Sequence, residues 1–176
     1  MSRPTKDTIW GSLIYEEQEF KVLGGYHLTE ELNQKIHSYR EKRNPLIRVL
    51  SPIHYWLQWE VIDSKLYLVD IELFGIAFHN AVDKENMHPE ENTGVVQKIF
   101  GTDRMFAKWV NEPIKLLIKK SKQKHFLIHK GTRWEKMVHE TTMDLLILEF
   151  EEGILKSTKH EEETFRGLKN YLEEEE

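Results

Sequence analysis

The chain contains no cysteine in 176 residues, only five prolines and nine glycines, and no apolar run near the ~20 residues of a membrane span. Each scarcity excludes something. Without cysteine there are no disulfides, thiolate zinc sites, iron–sulfur clusters or cysteine nucleophiles. The segment Met1-Ser2-Arg3-Pro4-Thr5-Lys6-Asp7 leads into no apolar signal core, so a soluble, cytoplasmic protein is expected. Five Trp, eight Phe and six Tyr are present. Bulky residues at that level argue for a packed core and against disorder. The length suits one domain, or one domain with an appendage.

Charge is unevenly placed around the net value of −5. Residues 111–136 carry eight Lys or Arg (Lys115, Lys119, Lys120, Lys122, Lys124, Lys130, Arg133, Lys136) against Glu112 and Glu135. Residues 159–176 carry three basic residues against seven glutamates. Such polarity can steer a charged partner, or it can be a solvated hairpin and a solvated tail.

Hydrophobic periodicity predicts strands with few helices. Alternation over Ile9–Tyr15, resuming at Phe20 and Val22, gives an opening hairpin ended by Gly24-Gly25. Thr29 is an N-cap candidate before Glu30 and Glu31. Leu32, Ile36 and Tyr39 then form one helical stripe, which Asn44-Pro45 stops. Trp56–Ile62, Asp63-Ser64 and Lys65–Phe74 make the clearest hairpin. Its second strand carries apolar residues on both parities, which predicts cover on both faces. Asp70 interrupts one face and requires a donor or an edge position. A short helix is expected at Val95–Phe100, an extended run at Met105–Val110, and an exposed tip or linker at Lys119–Lys124. Leu145–Phe150, a tip at Glu151-Glu152-Gly153 and Ile154–Ser157 close the strands. Phe165, Leu168 and Leu172 at i, i+3, i+7 predict a terminal helix. The expected fold is α+β: a mainly antiparallel β-sheet of six to eight strands in hairpins, with an N-terminal helix and a C-terminal helix. The expected division is a single β-rich domain over 1–158 and an acidic C-terminal helix or tail over 159–176.

Chemistry-bearing patterns are sparse. His125 and His129 lie on a strand-like segment, about 13 Å apart along it, too far to share one zinc ion. His139-Glu140 lacks the second His of an H-E-x-x-H motif, because residue 143 is Met. No metal and no cofactor are therefore expected. Gly11-Ser12-Leu13 is not a nucleophile elbow, and Gly24-Gly25 and Gly101 form no phosphate loop. No catalytic set is assigned. Lys115–Lys124, with Trp109, Phe126 and Trp134 nearby, is the one nucleic-acid candidate, but overall acidity and the absence of Arg there disfavour it. Trp56, Trp59, Trp109 and Trp134 fit half-buried core better than a stacking cleft.

Three segments carry a resemblance: Trp59-Glu60-Val61-Ile62-Asp63-Ser64-Lys65-Leu66-Tyr67-Leu68-Val69-Asp70-Ile71, then Phe106-Ala107-Lys108-Trp109, then Leu146-Ile147-Leu148-Glu149-Phe150-Glu151-Glu152-Gly153-Ile154-Leu155. In order and spacing over residues 53–157 they resemble a family of small bacterial β-rich proteins, some similar to immunity proteins of contact-dependent growth-inhibition toxin systems. The second segment departs from the family pattern, with Asn111-Glu112-Pro113 in place of a glycine turn. The resemblance implies a cytoplasmic binding protein, not an enzyme, that occludes the active site of a cognate, basic toxin domain. Candidate contacts are Glu149, Glu151 and Glu152 at the closing hairpin and Glu161, Glu162 and Glu163 in the tail. No membrane partner is expected. The alternative is a small hydrolase or ligand-binding enzyme with a cleft that uses Asp70 and His54 or His79.

Overall fold

A computed structural model describes residues 9–43, 55–73, 75–76, 82–83, 94–121, 124–130 and 134–170. In chain order the elements are β1 (Ile9–Tyr15), β2 (Gln18–Leu23), α1 (Glu30–Arg43), β3 (Tyr55–Ile62), β4 (Lys65–Leu73) and the short pair β5 (Gly75–Ile76) and β6 (Val82–Asp83). They continue with α2 (Val95–Phe100), β7 (Met105–Phe106), β8 (Ile114–Lys120), β9 (Lys124–Lys130), β10 (Trp134–Glu151) and β11 (Ile154–Asn170).

Local chemistry sets the boundaries. Three two-residue turns have both residues at positive φ: Glu16 and Glu17, Asp63 and Ser64, and Glu152 and Gly153. This geometry matches the twist of an antiparallel hairpin. Helix α1 starts where Thr29 Oγ1 accepts the Leu32 amide at 3.2 Å. Gly94 and Gly101, both left-handed, bracket α2.

The sheet runs β11-β10-β8-β2-β1-β3-β4-β7, with β9 also on β10. Beyond the ordinary neighbours, β4 pairs back onto β11 at Ile154 and Lys65. The sheet therefore curls until its two sides meet at one end. Its inner face carries the core: Leu13, Val22, Leu57, Trp59, Leu66, Leu68, Leu116 and Leu148, all buried, with Ile36 of α1 and Val95 and Val96 of α2 packed among them. Tyr55 adds a tie to α1. Its hydroxyl donates to Asn33 Oδ1 and its ring stacks on Tyr26 at 4.3 Å. Burial, and secondarily Tyr26 and Glu30, push its pKa up. A smaller cluster of Leu23, Met143, Leu145 and Ile147 lies on the opposite parity of β10, packed with Ile9 and Leu117.

Several expectations are corrected. The sheet is mixed, because β1 and β3 are parallel, Gly11 against Leu57 through Ile14 against Glu60. The β1–β2 hairpin has already returned the chain to the end where β1 began, Leu23 against Ile9, so β3, entering on β1's free side from that end, runs in the same direction. The predicted C-terminal helix is absent from the described tail: residues 159–170 belong to β11, paired with β10 from Glu151 and Ile154 to Lys136 and Asn170. A lone acidic helix of that length is marginal in water, whereas β10 offers a partner for every backbone group it faces. Residues 171–176 lie outside the described set. Met105–Val110 is extended only at β7 and then turns, with the Val110 amide on the Ala107 carbonyl at 3.0 Å. Of the tip or linker expected at Lys119–Lys124, the tip is corrected: Lys119 and Lys120 belong to β8 and Lys124 to β9, which lie end to end along β10, and the Ser121 amide donates to the Thr142 carbonyl at 2.8 Å.

The two-faced apolar pattern of β4 also has a specific cause. Gln58 pairs with Asp70 but Trp59 pairs with Leu68, so Val69 is the extra residue of a bulge. The bulge resets the alternation, and Leu66, Leu68, Ile71 and Leu73 all point into one core.

Gly11 marks the tightest backbone approach. A Cβ there would stand 2.0 Å from the Leu57 carbonyl oxygen. Gly11→Ala must push β1 and β3 apart, and the expected loss is about 3 kcal/mol or more, read from the urea midpoint. A loss below 1 kcal/mol would contradict the parallel pairing.

Candidate partner-binding site

The end of the β10–β11 hairpin is anchored by backbone bonds to two other segments. Glu152 and Gly153 form its turn, at φ 50° and 73°. The Gly153 amide donates to the Val110 carbonyl at 2.9 Å, and its own carbonyl accepts the Leu66 amide at 2.8 Å. The Leu155 amide donates to the Ser64 carbonyl at 2.7 Å, and Ala107 donates to Leu66 at 2.8 Å. The Glu152 amide is held by Asn111 Oδ1 at 2.7 Å. A side chain at 153 would meet the Ala107 carbonyl oxygen at 2.5 Å, so glycine is required by contact as well as by φ. Residues 59–71, 106–109 and 146–155 thus each contribute a backbone bond to this seam.

The six predicted carboxylates do not make one patch. Glu149, Glu151 and Glu152 share the hairpin end. Glu149 accepts the Ser157 hydroxyl at 2.9 Å and pairs with Lys159 at 3.4 Å. Glu151 pairs with Lys156 at 3.4 Å. Glu161 lies four residues beyond Ser157 on β11, about 13 Å along the strand, and binds Lys159 at 2.9 Å. Lys159 thus links the two groups. Glu163 is tied to Lys115 of β8 at 2.5 Å, on the face that carries Met143 and Leu145. Glu162 falls on the other face, opposite Asp144. Glu152 and Glu162 have no ion-pair partner among the described residues. The basic β8 and the acidic part of β11 flank β10, and Lys115–Glu163 joins them across it.

Of the alternative constellation, only Asp70 is among the described residues. Asp70 Oδ1 accepts the Ile71 amide at 2.8 Å, a local bond at the bulge, and His54 and His79 lie outside the described residues. Among the described residues no three His, Asp or Glu side chains are grouped to hold a metal. For the lysine-rich stretch, Lys115 is bound to Glu163 and the indole of Trp109 donates to the His27 carbonyl at 2.9 Å. Trp59 is core, 1% exposed. An open groove of about 560 Å³ lies between the helices, lined by Glu31, Gln34, Lys35, Tyr39, Lys42 and Lys98 among others. Lys35 is paired there with Glu31 at 3.1 Å.

One contact was invisible to sequence reasoning. His27, in the loop after β2 and at φ 53°, has Nδ1 2.8 Å from Glu112 Oε1, with a side chain only 6% exposed. Its Nε2 is buried without a partner. The two residues stand 85 apart, so no spacing rule could join them. The pair, with Trp109, clamps the segment that supports the hairpin seam.

No family model, curated protein or solved structure matches the chain. No helix among the described residues is long and apolar enough to cross a membrane.

The Ser157 hydroxyl, and secondarily Lys159, hold the Glu149 carboxyl below its ordinary 4.5. A depressed carboxyl stabilises the fold above its unfolded pKa, and that contribution disappears as pH falls through the folded value. Ser157→Ala should raise the Glu149 midpoint toward 4.5 in a carbon-detected NMR titration. An unchanged midpoint would remove the hydroxyl as the main cause.

Proposed function

We propose that this chain is a binding protein that neutralises a basic toxin domain by covering its active site, with the β10–β11 hairpin end as the docking element. The observation that carries this reading is the anchored acidic turn. Glu151 and Glu152 project from a backbone fixed by hydrogen bonds to residues 64, 66, 110 and 111. A turn already ordered loses little entropy on binding. Carboxylates presented in fixed positions can pair with the lysines and arginines that a toxin uses to grip its substrate, and complementarity of this kind speeds encounter. Occlusion needs no catalytic group. The resemblance to immunity proteins supports the same reading, as does the exposure of Glu151 and Glu152 to solvent.

The test is co-expression with the polypeptide encoded beside this chain, scored by growth rescue and co-purification. The wild type should rescue growth and form a stoichiometric complex. The double variant Glu151→Lys, Glu152→Lys should weaken that complex at least tenfold, about 1.4 kcal/mol, while Glu19→Lys on the distant β2 leaves it unchanged. Failure of the wild type to bind would overturn the toxin reading. Equal affinity of the double variant would move the docking element elsewhere.

A further inference from the structure

Among the described residues the outer edge of β11 stands open beyond Leu155: its partners on that side are at Ile154, which meets Lys65, and Leu155, whose amide reaches Ser64. From Lys156 to Glu162 every residue is exposed. A long strand edge with unpaired amides and carbonyls is a template for another strand.

The charges along this edge say which strand. Lys156 and Lys159 come first, and Glu161, Glu162 and Glu163 follow. The edge is thus basic in its first half and acidic in its second. An antiparallel copy of the same edge has the reverse order, so a two-fold axis through His160 sets Lys159 opposite Glu161 of the second copy and Glu161 opposite Lys159 of that copy. Parallel pairing would instead set like against like. Residues opposite one another in an antiparallel pair share a face, and Lys159 and Glu161 already share one within the chain, 2.9 Å apart. The axis therefore closes a ring of four alternating charges. We propose that β11 is a self-association edge, which joins two copies of this chain as antiparallel strands in one continuous sheet. Such an interface is isologous, as two-fold dimers require, and pairing over residues 156–164, clear of the seam, would satisfy about eight ladder hydrogen bonds. It is independent of the toxin reading.

Sedimentation velocity of the full chain should show a dimer whose dissociation constant rises with salt. Lys159→Glu and Glu161→Lys each set like charges opposite one another twice, and each should weaken the dimer at least tenfold. The double exchange Lys159→Glu, Glu161→Lys restores opposite charges and should restore the dimer. More tellingly, a 1:1 mixture of the two single variants, differently tagged, should form the mixed dimer that neither forms alone. Circular dichroism checks that each variant is folded, and the double exchange carries the test if a single variant is not. A wild-type monomer at 100 μM, or dimerisation indifferent to all four charge arrangements, would overturn the proposal.

Discussion

Two backbone groups of one glycine, Gly153, decide whether this sheet is open or closed. Its amide and carbonyl are bound by different segments, Val110 on one side and Leu66 on the other. Around them, Leu155 reaches Ser64 and Ala107 reaches Leu66. These bonds join the first and last parts of a sheet that otherwise grows by neighbouring strands. Closing a sheet this way removes part of two edges and encloses one inner face. The buried core then follows, since Leu57, Trp59, Leu66, Leu68, Leu116 and Leu148 need an interior shared by strands far apart in sequence. Helices α1 and α2 add Ile36, Val95 and Val96 to that interior. The site inherits its rigidity from the same bonds, because the acidic turn is part of the seam.

The ribbon of β8, β9, β10 and β11 works under a different constraint. Its strands are long, and much of β11 is exposed on both faces. Along β11 burial contributes less than along β10, whose Met143, Leu145, Ile147 and Leu148 are buried, and charge pairs across strands tie it to its neighbours. Lys115 with Glu163, Lys159 with Glu149 and Glu161, and Lys156 with Glu151 fasten neighbouring segments. Exposed pairs of this kind are individually weak. Their larger effect is to specify register and to leave an edge with a definite order of charge.

Much of the architecture was legible wherever the signal was local. Asp63-Ser64 and Glu152-Gly153 are turns because their neighbours alternate and their own residues tolerate positive φ. Thr29 caps α1, and glycines 94 and 101 bracket α2. Errors arose where a distant partner decided. Phe165, Leu168 and Leu172 have helical spacing, yet the described part of that tail pairs with β10, which competes successfully for its backbone. The apolar residues on both parities of β4 signalled a bulge at Val69, which no single strand can reveal without its partner's register. The parallel β1–β3 pair required knowing that the chain, already returned by the β1–β2 hairpin, enters β3 on β1's free side. At the site, the acids were identifiable by type, but their lysine partners were set by cross-strand register. The His27–Glu112 contact depends on two loops meeting and left no pattern in the chain.

The central claim is that the curled sheet is closed by the Gly153 seam. Amide hydrogen exchange followed by NMR on the full chain tests it directly. The Leu66, Ala107, Gly153 and Leu155 amides should exchange only through global unfolding, at the same free energy as the amides of Leu146 and Leu148 in central β10. Rapid exchange of those four while Leu146 and Leu148 stay protected would show an open sheet and contradict the account.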